Sequence, residues 1–201
     1  PMSCDPHIAL QGKIIDCLDY PFTLDNRAFL YGDQCFETIK IINQKPCFID
    51  LHLNRLQKST QILQLDIDTS TLYETIEQLI LKNVVNHGRI KIIVYRSDGG
   101  KYMPKENTPQ VLIMTYSGGS AYNLNPVGLR VGMCETAKKT ISPLGFFKSS
   151  QSFSYILASL ERKKRGLDEL FILNDKEVIC EAISSNIVAA KNNVLFTPPL
   201  S

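Results

Sequence analysis

Two runs of β-branched and apolar residues dominate the middle of the sequence. They are RIKIIVY at residues 89–95 and QVLIMTY at residues 110–116. Residues of these types favour β-strands, and the glycine, asparagine and proline residues around them favour turns. We therefore expect two strands of one sheet, joined by a long loop. A chain with such strands must fold around that sheet, because a strand needs partners for its backbone N–H and C=O groups.

The other apolar patterns predict an alternation of strands and helices. Further strands are expected at residues 14–18, 35–42, 46–49, 128–134, 169–173, 186–190 and 194–197. Amphipathic helices are expected at residues 50–65, 70–85 and 149–165. We expect Asp50 to cap the first helix, and Ser70 or Thr71 to cap the second. This alternation indicates an α/β (α+β) fold.

The segment GGSAYNLNP at residues 118–126 has the composition of a linker. We therefore expect an N-terminal α/β domain at residues 1–117, an interdomain linker at residues 118–126, and the start of a C-terminal domain at residues 127–201. The sequence stops at Ser201, just as a predicted strand passes into a loop. For this reason we expect the C-terminal domain to continue beyond this chain.

Charge and composition exclude several classes of function. The 22 basic and 20 acidic residues give a net charge of +2 and form no blocks, which argues against a nucleic-acid partner. No apolar run is long enough for a membrane span, and no secretory signal is visible at the N-terminus. The six cysteines show neither a CxxC pair nor a regular spacing, so we expect no metal site and a cytoplasmic location. A small-molecule ligand is the interpretation that remains.

Lys148 is the candidate nucleophile on local grounds. It follows GFF at residues 145–147 and precedes small polar residues at the start of a predicted helix, where its ammonium group would be partly desolvated. A desolvated lysine can lose its proton near neutral pH and act as a nucleophile. A solvated surface lysine is the more common alternative, and the local sequence does not decide between the two.

Four motifs occur in order along the chain. They are DNRAFLYGDQCFET at residues 25–38, HLNRL at residues 52–56, the Lys148 segment, and EAISSN at residues 181–186 followed by LFTP at residues 195–198. In order and spacing this set resembles the class IV aminotransferases, which are fold-type IV pyridoxal-phosphate enzymes. The family comprises branched-chain aminotransferases, D-amino-acid aminotransferases and 4-amino-4-deoxychorismate lyases. The resemblance implies a two-lobed fold, with a small N-terminal α/β domain and a larger C-terminal pseudo-barrel domain that binds the cofactor.

The resemblance also implies roles for individual residues. Lys148 would hold pyridoxal 5′-phosphate covalently through its amine and carry a proton during the reaction. Glu181 would stabilise the protonated ring nitrogen, and Arg55 would bind the phosphate through its planar guanidinium. The turn that addresses the phosphate side would consist of Ser184, Ser185 and Asn186. Without the resemblance, a solvated carboxylate and an exposed helical arginine would be the default interpretations of Glu181 and Arg55.

The reaction is predicted less directly. Phe36 and Thr38 belong to an FET motif that resembles many lyases and some aminotransferases, and D-amino-acid aminotransferases have a tyrosine at the position of Phe36. Arg96 is a candidate for binding a substrate carboxylate, although an ion pair with Asp98 is an equal alternative.

We expect an aminotransferase that transfers an amino group between an amino acid and a 2-oxo acid. Aminodeoxychorismate lyase activity is the alternative, and a catalytically inactive member of the fold is a second one. The family resemblance implies a homodimer, and we expect a small-molecule amino acid or aminodeoxychorismate as substrate, with no nucleic-acid or membrane partner.

Overall fold

The computed structural model describes residues 4–119, 124–142, 145 and 148–198. The chain forms two compact units, one of residues 1–122 with 147–150 and the other of residues 123–146 with 151–201. Each unit has sheet structure of its own, and the predicted mixed α/β class is confirmed. The linker predicted at residues 118–126 lies partly outside the described residues, and the predicted domain bounds stay predictions.

The first unit contains a six-stranded sheet. Its strands are β1 His7–Leu10, β2 Lys13–Asp16, β3 Gln34–Ile42, β4 Lys45–Pro46, β5 Gly88–Arg96 and β6 Pro109–Ser117. The strand order is β2-β1-β6-β5-β3-β4, and every neighbouring pair is antiparallel. The two β-branched runs are β5 and β6, which pair along their whole length from Gly88 with Ser117 to Arg96 with Pro109. Their expected place in one sheet is confirmed.

Three helices belong to the same unit: α1 Arg27–Tyr31, α2 Ile49–Ile62 and α3 Thr69–Lys82. The apolar residues of α2 and α3 pack against alternate residues of β3 and β5, such as Ile39 and Ile92. Full burial of an aliphatic side chain of this size contributes about 1.5–3 kcal/mol. The core therefore lies on one face of the sheet, and the residues between the core positions project from the other face.

The helix starts differ from those predicted. Asp68, rather than Ser70 or Thr71, caps α3: its Oδ1 accepts a hydrogen bond of 2.9 Å from the backbone N–H of Ser70. The hydroxyl groups of Ser70 and Thr71 also donate to Asp68, and they lower the pKa of that carboxyl group to about 2. Asp50 is not a cap, because α2 begins one residue earlier, after Phe48 in a left-handed conformation.

The second unit contains two smaller sheets and one helix. Its elements are β7 Val131–Met133, α4 Phe153–Lys164, β8 Glu169–Leu173, β9 Ile179–Ala182, β10 Ala189–Lys191 and β11 Val194–Phe196. Strand β8 pairs parallel with β7 and antiparallel with β9, while β10 and β11 form an antiparallel pair. The helix expected from residue 149 begins at Phe153, so four more residues before it are not helical.

A buried carboxylate ties α4 to the segment after β7. Both oxygens of Glu161 accept hydrogen bonds, from the backbone N–H groups of Glu135 and Thr136, from the Thr136 hydroxyl at 2.8 Å, and from Arg165 at 2.5 Å. Burial alone would raise the pKa of Glu161, but these donors outweigh it and lower the pKa to about 2. The ionised form of Glu161 is therefore part of the packing of this unit.

Replacing this carboxylate is expected to destabilise the protein. Glu161→Gln should lower the free energy of unfolding by about 1.5–3 kcal/mol near pH 7, because a charged acceptor of several hydrogen bonds is lost. The folded-state pKa lies below the ordinary value of 4.5, so this contribution is present above pH 4.5 and is lost as the pH falls toward about 2. Denaturant unfolding at a series of pH values measures the difference between variant and parent.

Glu177→Gln is the matched control, because Glu177 forms an exposed ion pair with Lys138 in the same unit. It should change the free energy of unfolding by less than about 1 kcal/mol. Equal losses in the two variants, or a loss in Glu161→Gln that does not depend on pH, would contradict the assignment.

Candidate functional site

Lys148 lies on an extended segment beside β3. Its backbone carbonyl accepts a hydrogen bond of 2.8 Å from the N–H of Phe36, and the next residue, Ser149, forms an antiparallel bridge with Cys35. The Lys148 Nζ lies 5.8 Å from the centroid of the Phe36 ring. The side chain is exposed and precedes the helix start at Phe153 by five residues. The expectation of a desolvated lysine at the start of a helix is therefore wrong for this structure, since strand pairing places it instead.

The sheet face beside Lys148 carries further polar and aromatic groups. Phe36 and Thr38 project from the face opposite the core, and the cross-strand partner of Thr38 is Lys91. The Nζ of Lys91 lies 5.0 Å from the Phe36 ring centroid, and burial, with the nearby charge of Arg89, lowers the pKa of Lys91. Two ammonium groups therefore contact one aromatic ring, which makes this face attractive to an anionic group.

Arg55 lies on α2 and is bound to a buried carboxylate. Its Nε and Nη2 donate to the two carboxylate oxygens of Glu37 at 2.5 and 2.6 Å, and His52 Nδ1 lies 2.8 Å from Glu37 Oε2. The Arg55 side chain is 45% exposed, whereas that of Glu37 is 1% exposed. The hydrogen bonds to Glu37 raise the pKa of Arg55 and outweigh the opposing effect of burial. Two N–H groups of the guanidinium thus donate to Glu37, and the Arg55 side chain as a whole is partly exposed.

Arg96 takes part in a buried network. Its Nε donates to Asp33 at 2.9 Å, its Nη1 to Asn107 at 2.5 Å, and its Nη2 to the carbonyl of Leu63 at 2.7 Å. Arg27, at the start of α1, donates to the same Asp33 carboxylate at 2.9 Å. This arrangement links α1, the end of α2 and the loop after β5. The structure therefore gives Arg96 a packing role, and its role in substrate binding stays a prediction.

The carboxylate that binds Arg96 is Asp33, whereas the sequence analysis considered an ion pair with Asp98. Asp98 accepts a hydrogen bond from the Thr23 hydroxyl, whereas Asp33 accepts from Arg96. Proximity along the chain suggested Asp98, but the antiparallel pairing of β3 with β5 brings Asp33, the residue just before β3, beside the end of β5.

In the second unit, Glu181 forms a triad with two residues that the sequence analysis missed. Lys139 Nζ and Tyr155 Oη lie 2.8 and 2.9 Å from Glu181 Oε1, and Lys139 Nζ donates to Tyr155 Oη at 2.8 Å. Burial would lower the pKa of Lys139, but its hydrogen bonds to Glu181 and Tyr155 raise it. Burial raises the pKa of Tyr155. The triad therefore joins an ammonium, a neutral phenol and a carboxylate.

The second carboxylate oxygen of Glu181 differs from the first. Among the described residues no hydrogen bond reaches Glu181 Oε2, whereas Oε1 accepts from both partners. The three residues Ser184, Ser185 and Asn186 follow β9 after one intervening residue and are exposed. The backbone bends there, with the N–H of Ala182 donating to the carbonyl of Ser185 at 3.4 Å. The end of β9 thus presents a carboxylate oxygen to which no described residue donates, and a polar turn comes shortly after it.

These groups fit the chemistry of pyridoxal phosphate. The cofactor needs an amine for its carbonyl carbon, a carboxylate for its ring nitrogen, and cationic or N–H donors for its phosphate. The first unit offers the exposed amine of Lys148 and the Arg55 N–H groups that do not bind Glu37, and the second unit offers Glu181 Oε2 and the polar turn. Arg55 is presented by a helix and Glu181 by a strand, which are rigid supports, whereas Lys148 lies on an extended segment paired with β3.

The described residues offer little sign of metal binding, membrane insertion or disulfide formation. No cluster of three or more His, Cys, Asp or Glu side chains in that part of the chain could hold a metal ion. None of the helices described above is both long and apolar enough to cross a membrane. All six cysteines are free thiols.

Comparison with known proteins gives consistent results. Residues 34–201 match the profile of the family described as Amino-transferase class IV. A putative branched-chain-amino-acid aminotransferase of Methanocaldococcus jannaschii is 26% identical over 196 residues, which cover 96% of this chain and 68% of that protein. The aminodeoxychorismate lyase of Vibrio harveyi is 28% identical over 181 residues, which cover 88% of this chain and 66% of that protein.

The fold agrees with these matches. The crystal structure of the branched-chain amino acid aminotransferase of Escherichia coli superposes with a TM-score of 0.85 at 22% identity, over 98% of this chain and 68% of that one. The chain thus spans about two thirds of the length of the proteins that it resembles. Because the family profile matches far more than half of the sequence, this chain belongs to the class IV aminotransferases, the fold-type IV enzymes that use pyridoxal 5′-phosphate.

Proposed function

We propose that the protein is an aminotransferase that transfers an amino group between an amino acid and a 2-oxo acid. The observation that carries this proposal is the position of Lys148, whose backbone pairs with β3 and whose amine lies over Phe36. A lysine held by strand pairing, exposed and beside an aromatic ring, is suited to binding a planar carbonyl compound. The membership of this chain in the class IV aminotransferases supports the same activity.

Each residue of the candidate site would contact a different part of the cofactor. When bound, pyridoxal phosphate supplies a carbonyl that takes up the amino group and a ring that withdraws electrons. Lys148 would hold the carbonyl carbon and would carry the proton that substrate loses and product gains. Glu181 would accept a hydrogen bond from the ring nitrogen through Oε2, because Lys139 and Tyr155 hold its other oxygen. Arg55 would bind the phosphate through the N–H groups that do not contact Glu37.

The turn after β9 completes the cofactor contacts in this proposal. The exposed hydroxyl and amide groups of Ser184, Ser185 and Asn186 are the donors assigned to the phosphate side. Substrate would lie against the sheet face of Phe36 and Thr38. The Lys91 ammonium, 5.0 Å from the Phe36 ring centroid, would attract the substrate carboxylate. Arg96 is not assigned a role here, because its guanidinium nitrogens are already hydrogen-bonded.

Aminodeoxychorismate lyase activity is the second candidate. It is supported by the relative of that name, which is 28% identical over 88% of this chain. Both reactions would use Lys148 and Glu181 in the same way, so the fold and the cofactor contacts do not separate them. The retention of Lys148, Glu181 and Arg55 together argues against an inactive protein.

We also propose that the enzyme is a cytoplasmic homodimer. Two-fold dimers are the most common assembly of soluble enzymes. The six free cysteines fit a reducing compartment.

Lys148→Ala is expected to abolish turnover, because the amine that binds the cofactor carbonyl is removed. The visible absorbance of the bound cofactor should disappear, and borohydride should no longer attach the cofactor covalently. Absorbance spectra and mass spectrometry after borohydride treatment check both. Lys82→Ala, at the exposed end of α3, is the control and should behave as the parent. A covalent adduct that persists in Lys148→Ala would refute the assignment.

Glu181→Gln is expected to lower turnover by orders of magnitude while the protein still binds cofactor, because an uncharged amide stabilises a protonated ring nitrogen less well. Steady-state kinetics and a cofactor titration separate the two effects. The same substitution at Glu177, an exposed residue of this unit, should leave turnover unchanged. If Glu181→Gln retained the parent's turnover, Glu181 would have no part in the reaction.

A half-reaction distinguishes the two candidate activities. With an amino donor alone, an aminotransferase releases one equivalent of 2-oxo acid per site and then stops until a 2-oxo acid acceptor is added. A lyase instead releases pyruvate and 4-aminobenzoate from aminodeoxychorismate repeatedly, without an acceptor. We expect the reaction to stop after one equivalent, as measured by rapid quench and product analysis with a panel of L- and D-amino acids. Sustained release of 4-aminobenzoate, with no amino acid accepted, would establish the lyase instead.

A further inference from the structure

Glu37 is a carboxylate in an apolar part of the first unit. It lies on the core face of β3, between Cys35 and Ile39, which are fully buried, and it is itself 1% exposed. A charged side chain in such a place is unfavourable unless it is paired and hydrogen-bonded. An apolar residue would fill the position without this cost. Packing alone therefore does not explain a carboxylate at this position.

The partners of Glu37 come from one helix. Arg55 donates to both of its oxygens at 2.5 and 2.6 Å, and His52, one turn earlier on α2, lies 2.8 Å from Oε2. The two contacts of Arg55 form a parallel pair, which fixes both the position and the plane of the guanidinium. An arginine on a helix surface would otherwise sample many rotamers, since its side chain has high conformational entropy.

The contact leaves part of the guanidinium accessible. Two of its five N–H donors point to Glu37, and among the described residues Nη1 makes no hydrogen bond. The 45% exposure of the Arg55 side chain contrasts with the burial of Glu37. Glu37 thus holds the Nε and Nη2 side of the guanidinium from inside the core, and Nη1 makes no hydrogen bond to another described residue.

We propose that Glu37 is the positioning residue for the cofactor phosphate. It orients Arg55 so that the outward edge of the guanidinium binds the phosphate, and His52 helps to hold Glu37 in place. This inference rests on the proposed function, in which Arg55 binds the phosphate of pyridoxal phosphate. Preorganising a donor in this way strengthens binding, because the side chain loses less freedom when the ligand arrives.

The test compares pyridoxal phosphate with pyridoxal, which lacks the phosphate, in the apoprotein. Lys148 can bind either compound, so only the phosphate contacts distinguish them. Arg55→Ala should weaken the affinity for pyridoxal phosphate about 10- to 100-fold, the effect of losing a charged hydrogen bond. Glu37→Gln, which leaves Arg55 in place but loosens it, should weaken that affinity about tenfold. The affinity for pyridoxal should change by less than about twofold in both variants.

The double variant makes the test specific. If Glu37 acts through Arg55, then Glu37→Gln in the Arg55→Ala background should not change the affinity ratio of the two compounds any further. A further change in that background would overturn the proposal. So would an equal loss of affinity for both compounds in Glu37→Gln, which is what a general packing defect would cause.

The outcomes separate this inference from the proposed function. If Arg55→Ala leaves the affinity for pyridoxal phosphate unchanged, the assignment of Arg55 to the phosphate is wrong, and the positioning role of Glu37 falls with it. If Arg55→Ala weakens only pyridoxal phosphate and Glu37→Gln has no effect, the assignment of Arg55 stands and the positioning role alone is refuted.

Folding must be controlled in each variant. Arg55→Ala leaves a buried carboxylate without its main partner and is the variant most prone to unfold. Arg55→Lys keeps the charge without the planar fork, so it can replace Arg55→Ala in the cycle and should give a smaller loss of affinity. Glu74→Gln, at an exposed position of α3, is the matched control for Glu37→Gln and should behave as the parent with both compounds. Far-UV circular dichroism of all variants checks the fold.

Discussion

The candidate site in the first unit depends on the alternation of β3. Glu37 points into the core and meets Arg55, whereas Phe36 and Thr38 point to the other face, near Lys148 and Lys91. A shift of one residue in the pairing of β3 with β5 would exchange these faces, exposing Glu37 and burying Thr38. The register from Gln34 with Tyr95 to Ile41 with Gly88 therefore determines both the core and the chemistry. One strand therefore determines both the packing of the sheet and the face on which each candidate group lies.

The sequence predicted the elements whose pattern is long and regular. The runs at residues 89–95 and 110–116 became β5 and β6, and both large helices lie within a few residues of their expected bounds. It did not predict β1, α1 or β9, which have four or five residues each and carry little periodicity. Short elements of this kind are fixed by their neighbours: β1 is held between β2 and β6, and local propensity has little part in it.

The residues of the candidate site likewise include some that the sequence predicted and some that it did not. The sequence supplied Lys148, Arg55 and Glu181 through family resemblance, since each has a common surface alternative. It did not indicate Glu37, Lys139 or Tyr155, because their contacts join segments far apart in the chain. A weak signal was present for Glu37, a carboxylate at an inward position of an alternating strand, which needs a buried partner. No local pattern would have paired Lys139 with Tyr155.

Three carboxylates differ in how many of their oxygens accept hydrogen bonds from the protein, and this difference indicates which of them can bind a ligand. Both oxygens of Glu161 accept hydrogen bonds from neighbouring groups, so that carboxylate is satisfied and acts in packing. Glu37 is equally satisfied, but its main partner, Arg55, keeps an exposed edge, so the carboxylate can act only through the arginine. Glu181 is satisfied on one oxygen, and the other meets no donor among the described residues. Since a carboxylate held on one side can still accept a hydrogen bond from a ligand on the other, Glu181 is the one of the three that is suited to direct contact with the cofactor.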